Sequence, residues 1–184
     1  KGAQSINLTI GDPNKYNDFK PKESVLDSAC DNSHLANYEI SKKKYVEVKD
    51  FLAKRYNKYS KRKIDSDCIF FNYGCTMALY LAISSICEKG DTIILPDTGF
   101  PYSNVLAQVI GLNVCTYTLM KDQDWEIDLV DLEKTLEKNK DTVKAVVINN
   151  PCNPCANVFD ENHVTKIISV IEKYEGVALV SDDI

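Results

Sequence analysis

The segment 149–155 (Asn-Asn-Pro-Cys-Asn-Pro-Cys) carries the residue types with the clearest chemical potential in this chain. Its two Asn-Pro pairs, Asn150-Pro151 and Asn153-Pro154, directly follow the apolar run 145–148. Because proline fixes its own φ and disfavours helix in the preceding residue, both asparagines are predicted to be extended with projecting amides. In an open α/β sheet, ligands bind outside the carboxyl ends of the strands. The segment therefore predicts a ligand-binding turn at such a strand end.

A second candidate site is the turn 72–76, in which Gly74 precedes a helical pattern that begins at Thr76. Unpaired backbone N–H groups and the positive end of a helix attract anions, which makes the turn a candidate for phosphate. One glycine is weak evidence, and ordinary turn chemistry accounts for it equally well. The three-glycine fingerprint of a dinucleotide site is absent.

Phe100 and Asp182 also follow strand-like apolar runs, at 92–95 and 177–180. Taken singly, an aromatic residue at a strand–helix turn is usually part of a core, and an aspartate at a strand end is often a helix cap or solvated. The residues alone therefore give neither of them a functional role.

Apolar runs alternate with helical patterns from residue 68 onward. Strands are predicted at 68–71, 92–95, 114–117, 143–148 and 177–180, and helices at 76–87, 102–110, from a cap at Asp128 onward, and at about 162–174. Continuously apolar strands indicate a sheet covered on both faces, and strand–helix alternation indicates parallel pairing. The predicted fold class is therefore α/β.

Composition excludes several classes of protein. The 184 residues carry a net charge of -5, which argues against nucleic acid as a partner. No apolar run reaches the roughly 18 residues of a membrane span, and no signal-peptide pattern opens the chain. Seven cysteines without framework spacing predict reduced thiols and a cytoplasmic location.

Several of these segments resemble motifs of the class I (fold-type I) aminotransferases that use pyridoxal phosphate, and most of all the tyrosine aminotransferase branch. The resemblance runs from about Ile6 to Ile184. The matches are 149–155 to Asn-Asn-Pro-x-Asn-Pro-Cys, 96–100 to Pro-x-x-Gly-Phe, 125–129 to Trp-Glu-Ile-Asp-Leu, 73–76 to Ser-Gly-Cys-Ser, and 181–184 to Ala-Asp-Glu-Ile.

The resemblance implies a role for each matched residue around one heterocycle. Phe100 would stack on the pyridine ring, Asn153 would donate to its phenolic oxygen, and Asp182 would pair with its protonated nitrogen. The phosphate would be held by a run in which Tyr73 replaces the family's Ser or Thr: Tyr73, Gly74, Cys75 and Thr76.

Two matches in the first forty residues concern the substrate and a partner subunit. Gly11 resembles the family's glycine on the substrate carboxylate side. Tyr38 resembles a tyrosine that reaches the cofactor phosphate of the partner subunit, which implies a homodimer, although the turn 41–44 lacks the family's glycine. Neither residue has a motif of its own to support it.

By the same resemblance, the full-length protein would transfer the amino group of tyrosine to 2-oxoglutarate, with small amino and oxo acids as partners and no metal. The family's Schiff-base lysine and its phosphate- and carboxylate-binding arginines lie further on than Ile184. This chain is therefore expected to be an inactive N-terminal portion. Residues 1–37 would belong to a smaller domain, and residues 38–184 would form an incomplete three-layer cofactor-binding domain with a mostly parallel sheet.

Three alternatives remain open. Alanine aminotransferase, cysteine-conjugate lyase and aminocyclopropane-carboxylate synthase share the scaffold. A non-catalytic relative would account for the departures at Tyr73, at Ala156 (glycine in the family) and in the lysine run 42–44. A redox pair or half of a zinc site would account for Cys152-x-x-Cys155, but no second such pair exists and the two histidines are not at ligand spacing.

Overall fold

The computed structural model describes residues 19–35 and 42–183. Gly11 and Tyr38 lie outside these ranges, so their predicted roles stay predictions. The chain divides into two compact units, Lys1–Phe70 and Phe71–Ile184. The domain boundary predicted between residues 37 and 38 separates the small and large domains of the family, and it stays a prediction. The division between the two compact units is a different one, between Phe70 and Phe71.

The first unit is helical over its described residues. It contains α1 (Glu23–Asp31), α2 (Lys42–Tyr59) and single 3₁₀ turns at Ser33–Leu35 and Ser66–Cys68. The buried Lys49 of α2 faces Asp67, with 3.6 Å between Nζ and Oδ1, and its ammonium lies 5.6 Å from the ring centroid of Phe70. Burial of a charged residue is therefore accompanied by an opposite charge and an aromatic face.

The strand predicted at 68–71 is wrong. Cys68 ends a 3₁₀ turn, the following residues pair with none of the described strands, and Phe70 is 76% exposed. An apolar run becomes a strand only where a neighbouring strand accepts its backbone hydrogen bonds, and among the described residues no neighbour stands beside this one.

The second unit alternates strands with helices. Its elements are α3 (Gly74–Ile86), β1 (Thr92–Pro96), α4 (Tyr102–Ile110), β2 (Asn113–Tyr117), β3 (Leu119–Met120), β4 (Glu126–Ile127), α5 (Leu129–Lys138), β5 (Val143–Asn150), α6 (Glu161–Ile171) and β6 (Ala178–Asp183). Four strands form a sheet in the order β2-β1-β5-β6, in which every neighbouring pair is parallel. A short antiparallel pair, β3 and β4, lies outside it.

The sheet is covered on both faces, which makes the unit a three-layer α/β sandwich. On one face Ile94 and Val146 pack with α5 and α6. On the other face Ile93 and Val147 pack with Ile83 of α3 and with α4. Consecutive residues of a strand point to opposite faces, so these continuously apolar strands are buried on both sides, as predicted.

Helix ends in this unit follow the sequence signals. Asp128 caps α5 by accepting hydrogen bonds from the backbone N–H groups of Val130 and Asp131. Gly111 ends α4 with a φ of 85°, a left-handed conformation that glycine adopts without the steric cost of a Cβ atom. Among the described residues no helix is long and apolar enough to cross a membrane.

Tyr117 ties the end of β2 to the central strand β5. Its fully buried hydroxyl donates to the carbonyl oxygen of Val147 at 3.0 Å. Burial, together with Cys152 and Asp97 nearby, raises the pKa of Tyr117 well above its usual value. The unfolded chain therefore releases this proton near pH 10 while the folded chain retains it, and the stability that depends on the neutral phenol is lost as pH rises through that range.

We expect Tyr117→Phe to cost about 1 kcal/mol of the free energy of unfolding at pH 7, because one buried hydrogen bond is lost. Above about pH 10, the wild type should lose up to about 1.4 kcal/mol more per pH unit than the variant. Urea unfolding at pH 7 and at about pH 10.5 measures both values. Tyr59→Phe, at an exposed tyrosine, is the control; curves for Tyr117→Phe parallel to the wild type in pH would contradict the assignment.

Candidate functional site

The carboxyl ends of the parallel strands and the first turn of α3 surround a cavity of about 510 Å³. Its wall contains an aromatic pair, an amide, a carboxylate and two residues of the helix start: Phe100, Tyr102, Asn153, Asp182, Cys75 and Thr76. A cavity outside the strand ends of an α/β sheet is the usual location of a ligand site. The sequence-predicted residues Cys75, Thr76, Phe100, Asn153 and Asp182 thus share one cavity.

Asn149 connects the Asn-Pro turn to strand β6. It stands opposite Asp182 in the parallel register, and its Nδ2 donates to the carbonyl oxygen of Asp182 at 3.0 Å. Its Oδ1 accepts from the backbone N–H of Asn153 at 2.7 Å. Only 8% of Asn149 is exposed. One buried amide therefore fixes the separation between the backbones that carry Asn153 and Asp182.

The turn itself is closed by its own backbone. The N–H of Cys152 donates to the carbonyl oxygen of Asn157 at 3.1 Å, and the N–H of Ala156 donates to that of Cys152 at 2.6 Å. Both Asn-Pro peptide bonds are cis. Ala156 has a φ of 60°, in the left-handed region, where a side chain costs roughly 1–2 kcal/mol and glycine costs little. This conformation explains why the related motif has glycine at this position.

The segment 125–129 is hydrogen-bonded to residues that follow the Asn-Pro turn in the chain. Asn157 Nδ2 donates to the carbonyl oxygen of Trp125 at 3.0 Å. The backbone N–H of Ile127 donates to Nε2 of the buried His163 at 3.1 Å, and the Nδ1 of that ring lies 3.4 Å from a carboxylate oxygen of Glu126. The segment that matches the Trp-Glu-Ile-Asp-Leu motif therefore has a structural contact with the site, although none of its residues is in the cavity wall.

Cys75 joins the start of α3 to strand β6. Its thiol donates to Oδ1 of Asp182 across 3.2 Å. This hydrogen bond, with burial and the negative charge of the carboxylate, raises the pKa of Cys75 above its usual value. The thiol therefore remains protonated at neutral pH and orients one oxygen of the Asp182 carboxylate.

Phe100 and Tyr102 form a parallel aromatic pair at the mouth of the cavity. Their ring centroids are 5.0 Å apart and their planes differ by 9°. Both rings are partly exposed, so a flat face remains available to a planar ligand. Phe100 was predicted for this position, whereas Tyr102 was not.

The four residues predicted to bind phosphate, 73–76, are placed differently by the start of α3. Gly74 begins α3 with a φ of 77°, and its N–H donates to the carbonyl oxygen of Asn72 at 3.0 Å. Cys75 and Thr76 follow in the first helical turn, whose N–H groups have no partners within a helix. Tyr73 is 97% exposed and is not in the cavity wall. The structure thus places Cys75 and Thr76 at the cavity, Gly74 beside them, and Tyr73 in solvent.

Sequence reasoning missed Asn149 and Tyr102. Asn149 had a signal, because it is the first residue of the Asn-Asn-Pro run at the end of a buried strand, where an amide must find partners. No sequence pattern indicated Tyr102, because the position of its side chain depends on the direction in which α4 begins after the turn that follows β1. All seven cysteines are free thiols, and no group of three potential metal ligands occurs among residues 19–35 and 42–183.

The first unit contains another cavity, of about 520 Å³, bounded by α2 and the segment that follows it. Its lining is mostly apolar, including Leu52, Tyr56 and Ile64, with Arg55 as the charged residue. It lacks the convergence of amide, carboxylate and helix start that the strand-end cavity has. The strand-end cavity is therefore the candidate functional site.

The fold and the site together define an α/β protein whose ligand cavity lies at the strand ends. Residues 3–184 match the family described as aminotransferase class I and II. The chain therefore belongs to the class I and II aminotransferases.

Individual relatives agree with this assignment. Mouse tyrosine aminotransferase is 29% identical over 182 residues, which cover 97% of this chain and 39% of that protein. The S-alkyl-thiohydroximate lyase of Arabidopsis thaliana is 30% identical over 189 residues, which cover 99% of this chain and 40% of that protein. The chain thus spans about two fifths of the length of these relatives.

Solved structures show the same fold. The alanine aminotransferase of Pyrococcus furiosus superposes with a TM-score of 0.84 and 26% identity, over 97% of this chain and 44% of that one. The tyrosine aminotransferase of Leishmania infantum superposes with a TM-score of 0.82 and 24% identity, over 95% of this chain and 48% of that one. The latter likeness supports the fold alone.

Proposed function

We propose that this chain supplies part of a pyridoxal-phosphate pocket, and that the full-length protein carrying it transfers the amino group of an aromatic amino acid, tyrosine, to 2-oxoglutarate. The observation that carries the proposal is a connected set of contacts around one cavity. Cys75 contacts Asp182, Asp182 contacts Asn149, and Asn149 contacts the Asn153 backbone.

The cavity suits pyridoxal phosphate in size and in chemistry. Its volume of about 510 Å³ lies within the usual range for small-molecule sites, about 300–1,000 Å³. The Asp182 carboxylate suits a protonated pyridine nitrogen, the Asn153 amide suits a phenolic oxygen, and the Phe100 ring suits a heterocyclic face. The N–H groups at the start of α3 suit a phosphate dianion.

Bound pyridoxal phosphate would supply an electron sink for the carbanion formed at the substrate Cα. The residues of this chain would prepare that chemistry. Asp182, oriented by Cys75, would hold a proton on the ring nitrogen. Asn153, held by Asn149, would donate its side-chain amide to the phenolic oxygen. Gly74, with the next two residues, would bind the phosphate.

The choice of tyrosine as the substrate is more specific than the choice of cofactor, and it is based on the similarity to relatives. Tyrosine aminotransferases of mouse, cattle and human are 28–29% identical to this chain. We infer a cytoplasmic homodimer in which Tyr38 reaches the phosphate of the partner subunit and Gly11 lines the substrate carboxylate side. Seven free thiols in the structure suit a reducing compartment.

A carbon–sulfur lyase of the same family is the second candidate. The plant S-alkyl-thiohydroximate lyase is as similar to this chain as the tyrosine aminotransferases are. Both reactions would use the same cofactor contacts, so the residues of this cavity do not separate them. The products do: amino transfer consumes an oxo acid and returns its amino acid, whereas a lyase releases a thiol compound.

The test is an absorbance titration of the full-length protein with pyridoxal phosphate, followed by assays with tyrosine plus 2-oxoglutarate and with a cysteine conjugate. A new absorbance band and glutamate production support the proposal. A band with thiol release alone moves the assignment to the lyase. Folded protein without a band contradicts both. The 184-residue chain assayed alone should be inactive, since the family's cofactor-linked lysine matches none of its residues.

We expect Phe100→Leu to weaken binding of pyridoxal phosphate to the full-length protein by about tenfold. Loss of an aromatic pair costs roughly 0.5–1.5 kcal/mol beyond buried area, and 1.4 kcal/mol corresponds to tenfold. Equilibrium dialysis measures the dissociation constant. Tyr102→Phe is the matched control, because it keeps a ring against Phe100 and should bind as the wild type does. Equal affinity for all three proteins would remove Phe100 from the pocket.

A further inference from the structure

His163 is a buried histidine in the first turn of α6, and it is not among the proposed cofactor contacts. The residue is 4% exposed, and its ring centroid lies 5.3 Å from that of Phe159. The Asp160 carboxylate accepts a hydrogen bond from the His163 backbone N–H at 2.6 Å, which fixes the residue at the helix start. A polar ring enclosed in this way needs partners for its nitrogens, so its contacts show what it holds in place.

The two ring nitrogens of His163 have different partners. Nε2 accepts the backbone N–H of Ile127 at 3.1 Å, and Nδ1 lies 3.4 Å from a carboxylate oxygen of Glu126. Because a backbone N–H can only donate, Nε2 carries no proton. The proton of the neutral ring is therefore on Nδ1, where it faces the Glu126 carboxylate. In this tautomer the ring is an acceptor for the backbone of β4.

One series of contacts connects His163 to the Asn-Pro turn through β4. His163 holds the backbone of Ile127. On the same segment, the carbonyl oxygen of Trp125 accepts from Asn157 Nδ2 at 3.0 Å. The carbonyl oxygen of Asn157 in turn accepts from the backbone N–H of Cys152 at 3.1 Å. This last bond closes the turn that carries the proposed contact to the cofactor ring.

A second series of contacts connects His163 to the same turn through Phe159. The two rings are packed together, and Phe159 is 6% exposed. The backbone N–H of Phe159 donates to Oδ1 of Asn150 at 2.9 Å. Asn150 precedes the first proline of the turn and Asn157 follows the second. The two series therefore hold the turn at both of its ends.

We propose that His163 is a positioning residue for Asn153. As an acceptor for the Ile127 N–H, it holds the two ends of the Asn-Pro turn and thereby keeps the Asn153 side chain in the cavity wall. The inference rests on the proposed function only for the ligand of Asn153, since the contacts themselves need no cofactor. An apolar side chain could fill the same space, but it could not accept a hydrogen bond. The acceptor atom, and not the volume alone, is what the turn requires.

Three substitutions separate the acceptor from the volume. The side-chain oxygen of glutamine is as many bonds from Cβ as Nε2 is in histidine, so His163→Gln can still accept from Ile127. The oxygen of asparagine is closer to the backbone and leucine has none, so His163→Asn and His163→Leu leave the Ile127 N–H without that acceptor. Amide hydrogen exchange of the 184-residue chain, followed by NMR, measures the consequence at each residue.

We expect the Ile127 and Cys152 amides to exchange about 10–100-fold faster in His163→Asn and His163→Leu than in the wild type, the effect of leaving one buried donor unpaired. In His163→Gln the rates should stay within about threefold of the wild type. The Leu112 amide is the internal reference, because it donates to the Ala107 carbonyl at 2.8 Å on the other face of the sheet. Wild-type rates in His163→Leu, or equal acceleration at Leu112, would overturn the proposal.

Nitrogen-15 NMR of the imidazole ring reads the tautomer independently of exchange. The chain has two histidines, so the variant His34→Gln leaves only the ring signals of His163. At pH 8 we expect a protonated Nδ1 and an unprotonated Nε2. A proton on Nε2 would mean that the ring does not accept from Ile127, and the positioning role would fail.

Equilibrium dialysis of the full-length protein with pyridoxal phosphate tests the effect on the site. His163→Asn should weaken binding by up to about tenfold, and His163→Gln should restore it. Unchanged affinity in His163→Asn would limit His163 to the stability of the turn and overturn its positioning role. If the wild type itself did not bind the cofactor, the proposed function would fail, whereas the exchange rates and the tautomer would still decide whether His163 holds the turn.

Discussion

Under the proposed function, replacing Asp182 with asparagine should lower the transamination rate of the full-length protein by about 10²–10³-fold, the usual cost of removing one stabilising group from a transition state. A neutral amide cannot hold a proton on the ring nitrogen, so the electron sink is weakened. Cofactor affinity should change by less than about tenfold, because stacking and phosphate contacts remain. Steady-state kinetics and equilibrium dialysis measure the two quantities.

A second readout of Asp182→Asn needs no activity. The Asp182 carboxylate is the main cause of the raised pKa of Cys75, so the variant should lower that pKa and speed alkylation of Cys75 at pH 8. Asp183→Asn is the matched control, since Asp183 is the next residue along β6 and accepts from the Ser181 hydroxyl. Wild-type rates in Asp182→Asn, or equal losses in both variants, would contradict the assigned role.

The regular part of this fold could be predicted from the sequence. Four of the five predicted strands exist, and the helix predicted at 102–110 has those bounds, because Gly111 and the preceding apolar pattern mark them locally. The fifth, 68–71, failed for a reason that the local sequence does not contain. Whether an apolar run becomes a strand depends on a neighbouring strand, and the neighbour is set by the whole fold.

The candidate site was predictable where a single strand end defines a residue's position. The resemblance placed Asn153 and Asp182 around one heterocycle, and the order of elements agrees, because parallel strands end at one edge of a sheet. The thiol of Cys75 that orients Asp182 was beyond such reasoning, since the two residues are 107 positions apart. A side-chain hydrogen bond over that separation depends on ångström-scale placement of a helix against a strand.

Resemblance and geometry can be compared at two positions. Tyr73 occupies the place of a family Ser or Thr and was predicted to bind phosphate; its side chain is 97% exposed and outside the cavity wall, and its role stays a prediction. Ala156 departs from the family glycine, and its left-handed φ shows what that departure costs. Tyr73 is outside the cavity wall, whereas Ala156 is part of it, so the departure at Ala156 adds a methyl group beside Asn153 and Asp182.

Asn149→Ala should have the largest effect on the stability of the site. The substitution removes the donor to the Asp182 carbonyl and the acceptor of the Asn153 N–H. Two partly buried backbone groups would be left unpaired, which we expect to cost about 2–4 kcal/mol of the free energy of unfolding. The Asn153 amide should also exchange with solvent much faster than in the wild type, because opening the turn no longer breaks that bond.

Urea unfolding of the 184-residue chain and hydrogen exchange at Asn153 measure the two effects of Asn149→Ala. Asn139→Ala is the matched control, since Asn139 is a half-buried asparagine that donates to the Thr135 carbonyl at the end of α5, away from the cavity. It should cost about 1 kcal/mol and leave Asn153 exchange unchanged. If Asn149→Ala were no more destabilising than Asn139→Ala and Asn153 stayed protected, the turn would be held by its own backbone bonds, and Asn149 would not couple it to β6.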